Sequence, residues 1–321
     1  MRVNRLDLNQ LACLDALLTE RNVSRAAERV SLSQPALSAT LARMREFFHD
    51  PLLMPVGRAM HLTPFAKSLI EPVRDLLLQV QALTERRPEA DASRVQRTVT
   101  VVCSDYAFTM LLAPVLARAQ QEAPRLRFEI RSIAAYLTAE LDRGDVDLVI
   151  LPVNGITSTH PSQVLLKDRF SCIVWTGNEL VGKRLTREAF LECGHVATAM
   201  GRERAPTMDQ VVMDDQKLGR RIEIRVPAFT MVPSCIVGTN RVATLQHTLA
   251  VDLAARYDLR VLACPVPIPE IVTAVQWHRH QSQDPAISWV REALRQRAST
   301  LMAHDKARGR RKATAGAHAV K

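Results

Sequence analysis

Two adjacent alanines, Ala26 and Ala27, stand just ahead of a tight Ser31-Leu32 turn, and Ser33-Gln34-Pro35 opens the next helix. Small side chains let a second helix approach closely, so this stretch is restricted to short helices packed around a sharp corner. Upstream, Leu8, Leu11, Leu14 and Leu18 recur at helical spacing and predict an amphipathic helix ending near Glu20. Asn22 or Ser24 can cap a second helix carrying Val23, Ala26, Ala27 and Val30. Ser33 is the expected N-cap of a third helix, with Pro35 in its first turn.

That third helix has two unlike faces. Leu37, Leu41, Met44 and Phe48 form an apolar face that packs on the first two helices, while Gln34, Ser38, Ala42 and Arg45 lie opposite. A narrow, short-chained face with hydrogen-bonding groups at its start suits a helix lying in a major groove. Gln34 can read adenine edges, Ser38 can reach base or phosphate, and Arg43 and Arg45 suit phosphate. An ordinary three-helix core with a solvated face would show the same periodicity, so both readings stand on these residues alone.

Charge adds little. The net charge is +10, but residues 303–321 contribute six Lys and Arg against Asp305 alone, half of the excess. With almost no apolar content, that tail reads as disordered and the rest as only mildly basic. At 321 residues, two or three units are expected, and with 4 % aromatics their cores must be aliphatic. No run approaches a membrane span, and MRVNRLDLNQ lacks the apolar segment of a secretory signal, so a cytoplasmic protein is expected. The six cysteines show no C-x-x-C pair and no metal-ligand spacing, which predicts reduced, mostly buried thiols and no metal or cofactor.

The order of residues across RNVSRAAERVSLSQPALSATLARMREFFHDPLLMPVGRAMHLTP closely resembles the winged helix-turn-helix of LysR-type transcription regulators. The resemblance implies a DNA-binding head over 1–62 that docks on a double-stranded operator. It puts Ser24 and Arg25 on the second helix, Ser33, Gln34, Pro35 and Ser38 at the start of the recognition helix, and Arg58 and Thr63 flanking the wing. Many members carry a basic residue where this chain has Met54-Pro55, which leaves Arg58 as the wing's expected contact.

Thr63-Pro64 is a helix start, followed by Leu69, Val73, Leu76, Val80 and Leu83 at intervals of 4, 3, 4 and 3. Such a heptad seam belongs to helices that pair with a partner, so residues 63–93 are read as a dimerising linker helix and hinge. Pro72 is expected to kink or break it.

From 94 to 302 strands and helices alternate, which predicts a doubly wound parallel α/β body. Strands are expected at Thr98–Cys103, Leu126–Arg131, Asp147–Leu151, Ser171–Thr176, His195–Ala199, Arg221–Val226, Val242–Leu245, Leu259–Leu262 and Ile271–Trp277, and a closing helix at Pro285–Arg297. The LysR resemblance implies a two-lobed effector domain of periplasmic-binding-protein type. Lobe I then comprises about 94–167 and 268–302, and lobe II about 168–267. Ligands of open α/β sheets bind beyond the strand ends, here in the cleft between lobes.

Ser104, Asp105 and Tyr106 open the first helix of the body, where free N–H groups favour a carboxylate or phenolate, although Ser104 and Asp105 can equally be caps. Arg5-Leu6-Asp7-Leu8-Asn9, Gly194-His195-Val196, Val226-Pro227-Ala228-Phe229 and Gly238-Thr239-Asn240-Arg241 resemble the NodD and NahR branch of the family. Regulators of that branch sense flavonoids or small aromatic acids. The resemblance therefore implies an aromatic effector, with Pro152, His195, Phe229, Thr239 and Asn240 as further pocket residues. It also implies a homodimer or homotetramer whose heads move when effector binds, with RNA polymerase among the partners such a regulator can touch. A regulator switched by oxidation of Cys172, Cys193 or Cys235 is the alternative. Catalysis is disfavoured, since there is no G-x-S-x-G elbow, Gly-rich phosphate loop or H-E-x-x-H.

Overall fold

The computed structural model describes residues 6–56, 59–85, 95–133, 137–201 and 205–318, which fall into two units, 1–87 and 88–321. In the first unit, α1 (Leu8–Glu20) starts with a capping box between Asp7 and Gln10, and α2 (Val23–Arg29) is capped by Asn22. Ser31 turns the chain at φ 55°, and α3 (Gln34–Phe48) follows with Ser33 as its N-cap. Ala26 and Ala27 are buried with Leu14, Leu17, Leu37, Leu41 and Met44, the close packing that the small side chains allow. Strands β1 (Leu53–Val56) and β2 (Ala59–Leu62) pair as an antiparallel wing.

Helix α4 (Pro64–Glu85) runs about 33 Å and continues through Pro72 as one helix, so of the expected kink or break the break does not occur. It belongs to the same unit as the head. Val73 is buried in the head core and Leu69 packs against it, and Arg74 pairs with Asp15 of α1 at 3.2 Å. Those two seam positions are therefore spent inside the protomer. Leu76 (42 % exposed) and Leu83 (65 % exposed) remain on the outside, with Val80 half-buried.

In the second unit the strands expected from the sequence form, but both sheets are mixed rather than parallel. Lobe I has β3 (Arg97–Cys103), β4 (Leu126–Arg131) and β5 (Leu148–Pro152) in parallel, while β13 (Ile271–Trp277) and the edge strand β6 (Ser162–Asp168) complete the order β4-β3-β5-β13-β6. β13 runs antiparallel to both its neighbours, because it enters from lobe II and reaches the sheet from the opposite end. Lobe II repeats the scheme. β8 (His195–Met200), β10 (Ile222–Val226) and β11 (Val242–Gln246) are parallel, and the crossing strands β7 (Phe170–Trp175) and β12 (Leu259–Ala263) complete the order β10-β8-β11-β7-β12. The two-residue β9 (Ala205–Pro206) folds back on the end of β8. The chain passes between the lobes at Asp168–Phe170 and between Ala263 and Ile271.

An ion-pair network ties lobe I together. Arg97 pairs with Asp147 and, at 2.5 Å, with Asp284, whose other oxygen caps the last helix at Ile287. That terminal helix (Pro285–His318) passes the expected end at Arg297, so the stretch expected to be disordered has a helical backbone to His318. Its Ala, Lys and Arg content has high intrinsic helix propensity, which a preformed helix can propagate.

Candidate DNA interface and effector cleft

The outward face of α3 is built by its N-cap and periodicity. With Leu37, Thr40, Leu41 and Met44 turned inward, Ser33, Gln34, Pro35, Ala42 and Arg43 are exposed and Ser38 half-buried. Ser24 and Arg25 lie on α2, and Arg25 leans back on Glu20 at 3.4 Å. Two expected DNA contacts have structural duties instead. Arg45 donates to the Pro51 and Leu53 carbonyls at 2.8 and 3.1 Å, fixing the base of the wing to α3. Thr63 is buried, donates to Asp50 at 2.7 Å and accepts from the Ala66 N–H, so it is the N-cap of α4. Arg58 lies outside the described residues. Met54, Pro55 and Val56 leave an apolar, exposed wing strand.

In the body, the carboxyl ends of the parallel strands from both lobes face each other. Gly201, just past β8 and at φ 67°, comes so close to lobe I that a Cβ there would lie 3.1 Å from the Ile133 carbonyl, just past β4. Ser104, after β3, is half-buried and accepts from the Ala107 N–H at 3.2 Å, a capping bond. Asp105 reaches across the cleft. Its Oδ2 accepts from the Thr230 N–H at 2.7 Å and the Thr230 hydroxyl at 2.9 Å. Pro152 ends β5, half-buried at the same level.

Tyr106 points to the first crossing between the lobes. It is buried and donates to Asp168 at 3.0 Å, and Asp168 also accepts from the Thr248 N–H and hydroxyl. Burial raises both the Asp168 carboxyl and the Tyr106 hydroxyl, so this cluster braces the first crossing between lobes. Phe229 is buried within the apolar cluster shared by both lobes, with Val226 and Val232.

Three expected pocket residues are at the wrong end of lobe II. His195 begins β8, and Thr239 and Asn240 precede β11; both strands are parallel, so their starts point away from the cleft. His195 is 1 % exposed, packs edge-on to Phe190 at 4.5 Å and donates from Nε2 to the Phe190 carbonyl at 2.7 Å. Burial, with help from Arg220 and Arg221, pushes its imidazole down to about 4. It is a neutral core residue. Thr239 hydrogen-bonds the Ile236 carbonyl, and Asn240 accepts from the Glu179 N–H.

The sequence pattern gave no sign of Thr230, Asp168, Thr248 or Gln246. Gln246 closes β11 at the cleft end and is 3 % exposed, and its Oε1 has no hydrogen-bond partner among the described residues. Contacts such as Asp105 to Thr230 join residues 125 positions apart, and no local pattern announces them. A separate cavity of about 230 Å³ lies between Met110, the His247–Ala254 helix and the terminal helix at Arg297 and Leu301. No cluster suited to a metal ion occurs among the described residues.

A profile described as bacterial regulatory helix-turn-helix protein, lysR family, matches residues 8–67, and that of the LysR substrate binding domain matches 92–299. The chain belongs to the LysR family of transcription regulators. Nodulation protein D 2 of Rhizobium tropici is 40 % identical over 302 residues, covering 94 % of this chain and 96 % of that protein. Nodulation protein D 1 of Mesorhizobium japonicum is 38 % identical, with the same coverage of each. Among solved structures, a probable transcriptional regulator from Pseudomonas aeruginosa is similar with a TM-score of 0.60 and 26 % identity, over 91 % of this chain and 97 % of that one. A full-length OxyR variant from the same organism, at 19 % identity and TM-score 0.64 over 90 % and 95 %, shares the fold. The chain is thus a DNA-binding regulator with an effector-binding body, in a family of regulators rather than enzymes. No described helix is long and apolar enough to cross a membrane.

Proposed function

We propose that this LysR-family regulator reads its operator with Gln34 and Ser38 of α3, anchors through Arg43 and Arg58, and is switched by a small aromatic molecule in the cleft. The observation that carries the reading is the convergence of strand ends from both lobes, bridged by Asp105 and Thr230. A ligand entering there binds one lobe arrangement better than another and so shifts the equilibrium between them. Its class follows the relatives and the branch resemblance: a flavonoid, phenol or aromatic acid. Ser104, Pro152 and Phe229 supply the lobe I edge and the apolar floor. The exposed Leu76 and Leu83, with Val80, form the seam of a homodimer, which pairs again into a tetramer. The site of action is the cytoplasm, with RNA polymerase as a further partner, and the basic stretch 303–321 adds sequence-independent attraction to DNA.

The redox alternative has less support. Cys172 and Cys193 are buried and burial raises both thiols, and Cys103 is pushed up to about 12. Cys264 is lowered, through a hydrogen bond from the Cys172 thiol. A thermal-shift screen of the full-length protein against phenols, flavonoids and aromatic acids, with and without reductant, separates the two. Saturable stabilisation lost in Ser104→Ala or Phe229→Ala is the expected result. A response to reductant alone, abolished by one Cys→Ser change, would replace the ligand reading.

A further inference from the structure

We propose that Asp105 is the residue that selects the charge of the effector, by holding a carboxylate of the protein's own across the cleft. The proposal rests on the cleft being the effector site. Asp105 is the first residue of the helix that opens from β3 in lobe I, and its partner Thr230 sits in the short turn after β10 in lobe II. Both bonds, 2.7 and 2.9 Å, use the same oxygen, and both donors belong to the other lobe. The backbone and hydroxyl donors of Thr230 that would welcome an effector's carboxylate are therefore already satisfied by a fixed negative charge.

A second carboxylate brought beside the first meets like-charge repulsion in a partly desolvated gap, where such interactions are far stronger than in water. A neutral hydroxyl-bearing ring meets the opposite situation. The half-buried Asp105 carboxylate, just past the cleft end of β3, is an acceptor that a phenolic O–H can satisfy. A hydroxyl that donates to a carboxylate makes a charge-assisted bond, which a second carboxylate cannot make. The same bridge links the lobes, and an effector that competes for Asp105 alters how they are held.

The test uses two probes of nearly equal shape, 2-hydroxybenzoate and 2-hydroxybenzamide, titrated calorimetrically into the full-length protein and its Asp105→Asn variant. The substituted amide keeps an oxygen for Thr230 while losing the charge, so folding and the bridge are retained. Wild type is expected to favour the amide probe by at least about tenfold, and Asp105→Asn to tighten the acid by about that factor while moving the amide probe less than about threefold. Equal affinity of wild type for acid and amide, or an unchanged preference in the folded variant, overturns the proposal. If neither probe binds either protein, the aromatic-cleft reading is what fails, and the bridge is judged by amide hydrogen exchange at Thr230. Exchange at least about tenfold faster in Asp105→Ala upholds the interlobe bond, and an unchanged rate removes it.

Discussion

Lowering the pH from 7.5 to 5 costs the fold stability through His195, where a surface histidine would cost none, and the size of the effect follows from its surroundings. In the folded body the ring is neutral, with its Nε2 proton committed to Phe190 and its pKa at about 4 against an ordinary 6.5. The folded value is the lower one, so between these limits the unfolded chain binds more protons and stability falls as pH falls. The complete difference is worth about 3 kcal/mol, of which about 2 is lost by pH 5. For a body of this size that corresponds to roughly 4–8 °C of melting temperature. The assay compares melting of wild type and His195→Gln at pH 7.5 and pH 5, the amide being able to keep the bond to Phe190. Wild type should lose about 4–8 °C more than the variant between the two pH values. Equal losses would refute the argument that buried His195 carries this pH dependence. Since His195 is far from the cleft end, effector response in His195→Gln should match wild type at pH 7.5.

Gln34→Ala should weaken specific operator binding about 10- to 100-fold in gel-shift titrations and leave non-specific binding nearly unchanged, as expected for lost base contacts. Leu83→Glu should shift sedimentation toward the monomer without lowering head stability, whereas Val73→Ala should cost the head about 2 kcal/mol, because Val73 is in its core and Leu83 is not. Removing residues 303–321 takes away a net +5 and should make the salt dependence of DNA affinity shallower, by up to about 4 in logarithmic slope. An unchanged slope would show that this stretch stays off the DNA.

Much of the head was written locally. The Ala26-Ala27 pair, the Ser33-Gln34-Pro35 start and the leucine spacing specify α1 to α3 because helix caps and apolar periodicity act over a few residues. The strands of the body were legible for the same reason, apart from β6 and the two-residue β9. The edge strand β6, Ser162–Asp168, has only Val164-Leu165-Leu166 as an apolar run between polar ends, too short to mark a strand. What tertiary structure alone decided is which end of each strand meets the other lobe. That put Asp105 beside Thr230, sent His195, Thr239 and Asn240 to the far end, and turned Tyr106 onto Asp168. It also turned Leu69 and Val73 from a dimer seam into head core, and made Arg45 and Thr63 fasteners of the wing and α4. Caps and periodicity fix an element's existence and its apolar face, but which groups share a site depends on contacts between residues tens to more than a hundred positions apart.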